Sequence, residues 1–172
     1  MKTILETKRL LLEKFDEEDH VFIVRLVNSE GWLKYIGDRK VRTKDEAIAY
    51  LRNGPMKSYE VNGFGLCKVS LKETGEPIGM CGLIKRETLE DIDIGFAFLP
   101  EYAGAGYGFE IAQATLNYGF NDLSMQRIVG ITIPTNERSI KLLEKIGMRL
   151  EKSYNSNGEE LLLYGMSKVV SG

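Results

Sequence analysis

Phe98-Leu99-Pro100-Glu101-Tyr102-Ala103-Gly104-Ala105-Gly106-Tyr107-Gly108-Phe109-Glu110 changes character twice over a short distance. Phe98-Leu99 closes an apolar, strand-like run. Three glycines at alternate positions follow, and a helix-like run begins at Tyr107. Glycine admits positive φ and lets a ligand approach the backbone without meeting a Cβ. Successive amides then converge on one point, and the helix N-terminus adds unpaired N–H groups and a positive dipole end. That combination suits a phosphate or pyrophosphate. The dinucleotide fingerprint would need glycine at position 109 or 111, where Phe109 and Ile111 stand, and no Gly-Lys-Ser/Thr of a P-loop is present. Spacing alone also permits a glycine turn that serves only tight packing.

Upstream of the turn, three strand-like runs follow one another at about Gly63–Leu71, Pro77–Ile84 and Asp91–Leu99. A turn at Lys72–Gly75 and a polar connector at Glu87–Glu90 join them, the pattern of an antiparallel meander. Downstream, the chain predicts a helix over Tyr107–Asn121, a strand over Arg127–Ile133 and a helix over Asn136–Ile146 that stops at Gly147. Two last strands, Met148–Ser153 and Glu160–Met166, flank a hairpin signal at Asn155–Gly158. At the other end, Leu5–Phe15 reads as one strand and Asp16 as the cap of a helix reaching Val27. Thr43-Lys44-Asp45-Glu46 has capping-box form and opens a second helix. The central strand–helix–strand unit needs a crossover, so two central strands run parallel. The expected fold is α/β (α+β): a mixed, mostly antiparallel sheet of about seven strands with helices on both faces, in a single domain over residues 1–172.

At 172 residues the chain is long enough to bury one full core. With 43% hydrophobic and 28% charged residues, it fits neither the disordered nor the membrane class. No apolar run approaches the roughly 20 residues of a bilayer span, and Met1–Arg9 has no signal-peptide core, so a cytoplasmic protein is expected. Cys67 and Cys81 lack metal or redox spacing and read as buried, reduced thiols; no metal is expected. A net charge of −2 with scattered cations argues against nucleic acid as a partner.

The run Asn136–Ile146 is amphipathic. Ile140, Leu142, Leu143 and Ile146 form its apolar arc, and Asn136 and Ser139 fall on that same arc. Inward-facing polar groups need partners. The plain account is that Asn136 caps the helix and Ser139 bonds a nearby carbonyl. Strand alternation puts Asp91, Asp93, Gly95 and Ala97 on one face and Ile92, Ile94, Phe96 and Phe98 on the other. Asp93 is then either a solvated residue at a strand start or a carboxylate held for chemistry. Glu110 lies in the first helical turn, where an acid favours the dipole. His20 reads as a packed or surface residue, and Trp32 and Tyr35, between the first two helices, read as core or lid packing or as the lining of an acceptor pocket.

Taken together, these motifs resemble the GNAT superfamily of N-acetyltransferases, in particular the branch that acetylates ribosomal-protein N-termini. The resemblance runs from Thr7-Lys8-Arg9-Leu10 to Tyr164. It rests on the turn Ala103-Gly104-Ala105-Gly106-Tyr107-Gly108, the helix start Asn136-Glu137-Arg138-Ser139 and the strand Ile92-Asp93-Ile94-Gly95-Phe96. Three positions depart from the family pattern: Ala103 replaces Gln, Arg or Trp, Ala105 replaces a common Lys or Arg, and Leu143 replaces a Tyr that protonates the leaving thiolate.

The resemblance implies acetyl-CoA as co-substrate. Its pyrophosphate would sit on the amides of Gly104, Ala105, Gly106, Tyr107, Gly108 and Phe109. Its pantetheine arm would add to the strand edge at Ala97, Phe98 and Leu99, where a bulge splays the two parallel strands. Asn136 and Ser139 would line the far side of that gap. The implied reaction is direct attack of a primary amine in a ternary complex, with Asp93 as candidate base, Ser139 as candidate acid and an amide near Phe98–Leu99 for the oxyanion. The acceptor is a small-molecule amine or a protein N-terminus, and the chain is a monomer or homodimer. The competing readings are a catalytically inactive CoA-binding sensor or partner protein on the same fold, and an unrelated nucleotide-binding module.

Overall fold

The computed structural model describes residues 2–169. In chain order the elements are β1 (Thr3–Glu6), β2 (Leu10–Lys14), α1 (His20–Val27), α2 (Glu30–Tyr35), α3 (Lys44–Leu51), α4 (Lys57–Asn62), β3 (Leu66–Leu71), β4 (Pro77–Ile84), β5 (Ile92–Phe98), α5 (Tyr107–Asn121), β6 (Arg127–Thr132), α6 (Glu137–Lys145), β7 (Arg149–Ser156) and β8 (Glu159–Ser167). They build one mixed sheet in the order β1-β2-β3-β4-β5-β6-β8-β7. Every neighbouring pair is antiparallel except β5 and β6.

Eight strands replace the seven expected because the Leu5–Phe15 run folds back on itself. Thr7 and Arg9 break it: the Thr7 amide bonds the Leu10 carbonyl, and both residues turn toward Glu110 on α5. That partner is far away in sequence, so the break has no local signature. On the other side of the sheet, Asp16 caps a 3-10 turn ahead of α1, and Thr43 with Glu46 forms the expected capping box of α3. Two further short helices lie outside the sequence expectation. α2 holds Trp32 in the core, and α4 continues α3 through a π-helical turn that absorbs Pro55. Proline cannot donate the amide an α-turn requires, and the wider turn removes that demand.

Two apolar layers flank the sheet. Ile111, Ala112 and Leu116 of α5 and Leu143 of α6 pack with Ile94, Ile128 and Cys81 on one face. Ile23 and Leu26 of α1, Trp32 and Leu51 pack with Met80 and Leu99 on the other. Cys67 and Cys81 face each other across β3 and β4 as free thiols. Burial raises Cys67 to about 11 and Cys81 to about 12. Only the thiolate is an effective nucleophile. Neither cysteine should therefore react with a disulfide reagent in the native protein at pH 8, and both should react once it is unfolded in guanidinium. Rapid native labelling would contradict their packing.

Candidate active site

β5 and β6 run side by side, yet their register covers only Ile92↔Ile128 and Asp93↔Val129. Beyond that point they diverge, while β5 stays zipped to β4 without a shift from Ile84↔Asp93 to Gly79↔Phe98. The splay is present without the bulge the resemblance implied. The result is a wedge closed at Asp93 and open at the C-terminal ends of both strands, where α5 and α6 begin. Clefts beyond the C-terminal strand ends are where open α/β sheets bind ligands.

The ladder decides which backbone groups face this wedge. The Leu99 amide donates to the Ile78 carbonyl at 2.9 Å. Antiparallel pairs alternate, so Ala97, Gly95 and Asp93 also direct their backbone groups to β4. Ile94, Phe96 and Phe98 turn theirs toward β6. This corrects the expected edge: Ala97 and Leu99 are engaged by β4, and Leu99 is buried in the second core, leaving Phe98 with Phe96 as the free edge. It also removes Leu99 as an oxyanion donor.

At the open end, Pro100–Tyr102 forms a 3-10 turn and the glycine turn follows. Gly104 and Gly106 both sit at φ 84°, the left-handed region that disfavours any Cβ. The first bond of α5 runs from the Glu110 amide to the Gly106 carbonyl. The amides of Gly104, Ala105, Gly106, Tyr107, Gly108 and Phe109 have no protein acceptor among the described residues. Gly108 serves packing as well: a Cβ there would lie 3.3 Å from Leu142 Cδ2 and 3.5 Å from a Phe98 ring carbon. Its bareness lets α5 approach α6 and β5.

Two cations missed in the sequence lie against side chains of this turn and the first helical residues. The Arg9 guanidinium donates to Glu110 Oε1 at 2.6 Å and to the Ala105 carbonyl at 3.0 Å, and lies over the Tyr107 ring. Lys145 Nζ lies 4.4 Å from the centre of the Phe109 ring. Arg9 is ion-paired with Glu110, and Lys145 is in no ion pair among the described residues. Glu110 also accepts from the Thr7 hydroxyl at 2.6 Å and the Arg9 amide at 2.9 Å. Burial acts to raise the Glu110 pKa, but the bonds from Thr7 and Arg9 outweigh it and leave the carboxyl below its ordinary range. A depressed carboxylate stabilises the fold above its unfolded pKa, and that contribution is lost as pH falls through the folded value. Glu110→Gln should therefore lower the melting temperature at pH 7, with the gap to wild type closing as pH drops below about 4.5. A pH series of thermal melts checks this; a gap constant with pH would show that the ionised form does not matter.

On α6, Asn136 Oδ1 accepts from the Ser139 amide at 3.2 Å, so Asn136 caps the helix, in agreement with the plain account. Its amide nitrogen and the Ser139 hydroxyl have no partner among the described residues, and both residues are half-buried. Leu143, one turn beyond Ser139, is buried over β6: a Cβ at Gly130 would lie 2.6 Å from it and 3.6 Å from Ile94. No hydrogen bond joins Ser139 to Asp93; they belong to opposite faces of the sheet, beside the open and closed ends of the wedge.

Asp93 is not solvated. It is 1% exposed, with both oxygens reached by Arg86 Nε at 3.1 and 3.3 Å. Burial raises its pKa above the usual carboxylate value, and Arg86 only partly offsets that. A buried carboxylate with a raised pKa in a cleft is a candidate base. Tyr154 of β7 also feels Asp93 and Arg86, and burial is the main cause of its raised pKa. Trp32 is a core residue, 5% exposed, and its indole N–H has no partner among the described residues. Among those residues no group of three or more His, Cys, Asp or Glu is placed to hold a metal ion, and no helix is long and apolar enough to cross a membrane.

The acetyltransferase (GNAT) domain family matches residues 9–149. An uncharacterized N-acetyltransferase of Bacillus subtilis, YnaD, is 32% identical over 147 residues, covering 86% of this chain and 83% of its own length. A second Bacillus subtilis relative, the uncharacterized protein YkkB, is 29% identical over 166 residues, 95% of each chain. Among solved structures, an acetyltransferase of the GNAT family from Bacillus anthracis superposes with a TM-score of 0.79 at 27% identity, over 95% of this chain and 97% of the other. A ribosomal-protein-S5-alanine acetyltransferase from Vibrio fischeri has the same fold, with a TM-score of 0.79 at 19% identity over 95% of each chain.

Proposed function

This chain belongs to the GNAT acetyltransferase family, an acetyl-CoA-dependent acyltransferase fold, and on that premise we propose that it transfers the acetyl group directly to a primary amine in a ternary complex. The observation that carries the proposal is the row of free amides from Gly104 to Phe109 at the mouth of a wedge whose closed end holds Asp93. The residues fit acetyl-CoA: free N–H groups and two cations for the pyrophosphate, a free strand edge for the amide-bearing arm, and a buried carboxylate beyond it.

Acetyl-CoA supplies the activated acetyl group. Arg9, Lys145 and the turn amides hold its phosphates. Phe96 and Phe98 offer backbone groups to the arm, as a sheet edge offers them to an added strand. Asn136 and Ser139 line the opposite wall with their free nitrogen and hydroxyl. From Asp93 to Phe98 the strand rises roughly 17 Å at about 3.3 Å per residue, which matches an extended pantetheine arm. Asp93 takes the acceptor's proton directly or through one water; an α-amine, with pKa about 8, needs less help than a lysine amine at about 10.4. A β5 amide facing the wedge stabilises charge on the acyl oxygen. The ammonium formed on attack protonates the departing thiolate. Ser139 then serves binding first, and its role as an acid is a further part of the proposal. The whole chain is read as one domain acting in the cytoplasm, as a monomer or homodimer, on a small amine or a protein N-terminus.

Leu143, buried where many relatives carry a proton donor, favours one alternative: a CoA-binding sensor without turnover. Thiol release from acetyl-CoA in the presence of a panel of primary amines separates the two. Amine-dependent release with an acetylated product is expected. Tight acetyl-CoA binding without release from any amine would leave only the sensor.

A further inference from the structure

A groove of about 810 Å³ opens on the α3–α4 side of the sheet. That is within the range of small-molecule sites. One end of it reaches the closed end of the wedge. Ile84, which lines the groove, is the register partner of Asp93. Lys85 and Glu87 also line it, and between them in sequence stands Arg86, which grips Asp93. The groove therefore ends one strand away from the candidate base, on the face opposite α5 and α6, with Arg86 and Asp93 themselves outside its lining.

Its charge is unlike that of the chain as a whole. The chain carries −2, yet the groove is lined by four cations, Arg39, Lys40, Lys57 and Lys85, and two carboxylates, Glu46 and Glu87. None of the four cations is in an ion pair among the described residues. Glu46 is already committed, accepting from the Arg42 and Thr43 amides at the start of α3. Tyr50 adds a phenol with no hydrogen-bond partner among the described residues, and the charges of Arg39 and Arg86 both act on it. The rest of the wall includes Val41, Pro55, Val61 and Leu66. With four cations to two carboxylates over apolar walls, the groove carries a positive excess, and such a cleft concentrates ligands of the opposite sign.

We propose that this groove is the acceptor site and that the acceptor is a small amine bearing a carboxylate or phosphate group, which the groove cations hold while the amine reaches Asp93. The inference rests on the acetyltransferase function proposed above. The local charge at the groove, not the net charge of −2, meets the ligand. A polyamine would bring a second ammonium against unpaired lysines.

The test compares matched acceptors in the full chain: 1,4-diaminobutane against ornithine, phenethylamine against phenylalanine, and ethanolamine against phosphoethanolamine. The expected result is at least a tenfold higher kcat/KM for the member bearing the acid group in one or more pairs, with the pair concerned identifying carboxylate or phosphate. In a Lys57→Glu/Lys85→Glu variant that ratio should fall at least fivefold, while KM for acetyl-CoA and the melting temperature hold. Comparing one ratio in two proteins cancels the intrinsic reactivity of each amine. Equal or better turnover of the members that lack the acid group, or a ratio unmoved by the charge reversals, overturns this inference and leaves the transferase standing. No turnover of any amine by a chain that binds acetyl-CoA overturns both.

Discussion

Gly106→Glu should abolish measurable acetyl-CoA binding, a loss of more than about 100-fold, in a protein that still folds. A hundredfold loss corresponds to nearly 3 kcal/mol at about 1.4 kcal/mol per decade. Two charge-assisted hydrogen bonds at about 1.5–3 kcal/mol each would account for it, before any repulsion between the new carboxylate and the phosphates. The structure separates this effect from misfolding. Gly106 lies at φ 84°, and the only heavy atom that a Cβ would approach among the described residues is Arg9 Nη2, at 3.4 Å. A side chain there therefore costs left-handed strain of about 1–2 kcal/mol and strikes no core residue. At about 2–4 °C per kcal/mol for a chain of this size, the melting point should fall by only several degrees. The new carboxylate would also draw Arg9, removing a cation from the site as it adds an anion. Gly106→Ala carries the strain without the charge and should bind with an affinity between the two. Calorimetric titration of acetyl-CoA into the three proteins, each checked by thermal melting, gives the answer. Wild-type affinity in Gly106→Glu would move the pyrophosphate elsewhere, and the proposed function would lose the observation that carries it.

The parts of this site that were legible in the sequence are those written in local chemistry. Helix α5 runs over Tyr107–Asn121 as expected because the glycines before it and the apolar spacing within it both act within a few residues. The Thr43–Glu46 box and the stop at Gly147, with φ 102°, are likewise local. What escaped is set by tertiary contact. Arg9 and Lys145 come from the two ends of the chain to stand beside Tyr107 and Phe109, and no spacing rule joins them. Thr7 and Arg9 break the first strand through Glu110, a residue that the sequence explains adequately by the helix dipole alone. Of the three residues expected at the β5 edge, Phe98 faces the wedge, whereas Ala97 and Leu99 turn to β4. Side-chain alternation can be read from sequence, whereas the direction of each amide follows from the pairing with β4, which only the register reveals. Asp93 was ambiguous for a related reason: Asp91-Ile92-Asp93 gives no sign that the second acid is sealed while the first shares Arg127 with Glu151.

Asp93→Asn carries the other large effect, and it should separate activity from stability. At pH 7 kcat should fall by about 10²–10⁴, the usual contribution of a positioned base. The ascending limb of the pH–rate profile that reports this carboxylate should disappear with it. Stability should move the other way or not at all. Burial raises the folded pKa of Asp93, with Arg86 opposing. A carboxyl whose folded pKa is raised stabilises the fold most below its unfolded pKa, and that contribution is lost as pH rises through the folded value. At neutral pH, holding Asp93 ionised therefore destabilises the native state, and the neutral amide removes that cost. Arg86 is left without its partner, but its side chain is 40% exposed and can turn to water, so little is lost there. The variant should accordingly melt at or above the wild-type temperature at pH 7 to 8, and the difference should shrink as pH falls toward the ordinary carboxylate range. A residue held only for packing gives the opposite pattern: a lower melting point and rates that recover when the protein is kept cold. If Asp93→Asn retains the wild-type rate and profile, the proton leaves by another route. Tyr154, which feels both Asp93 and Arg86, would then be the next side chain to remove.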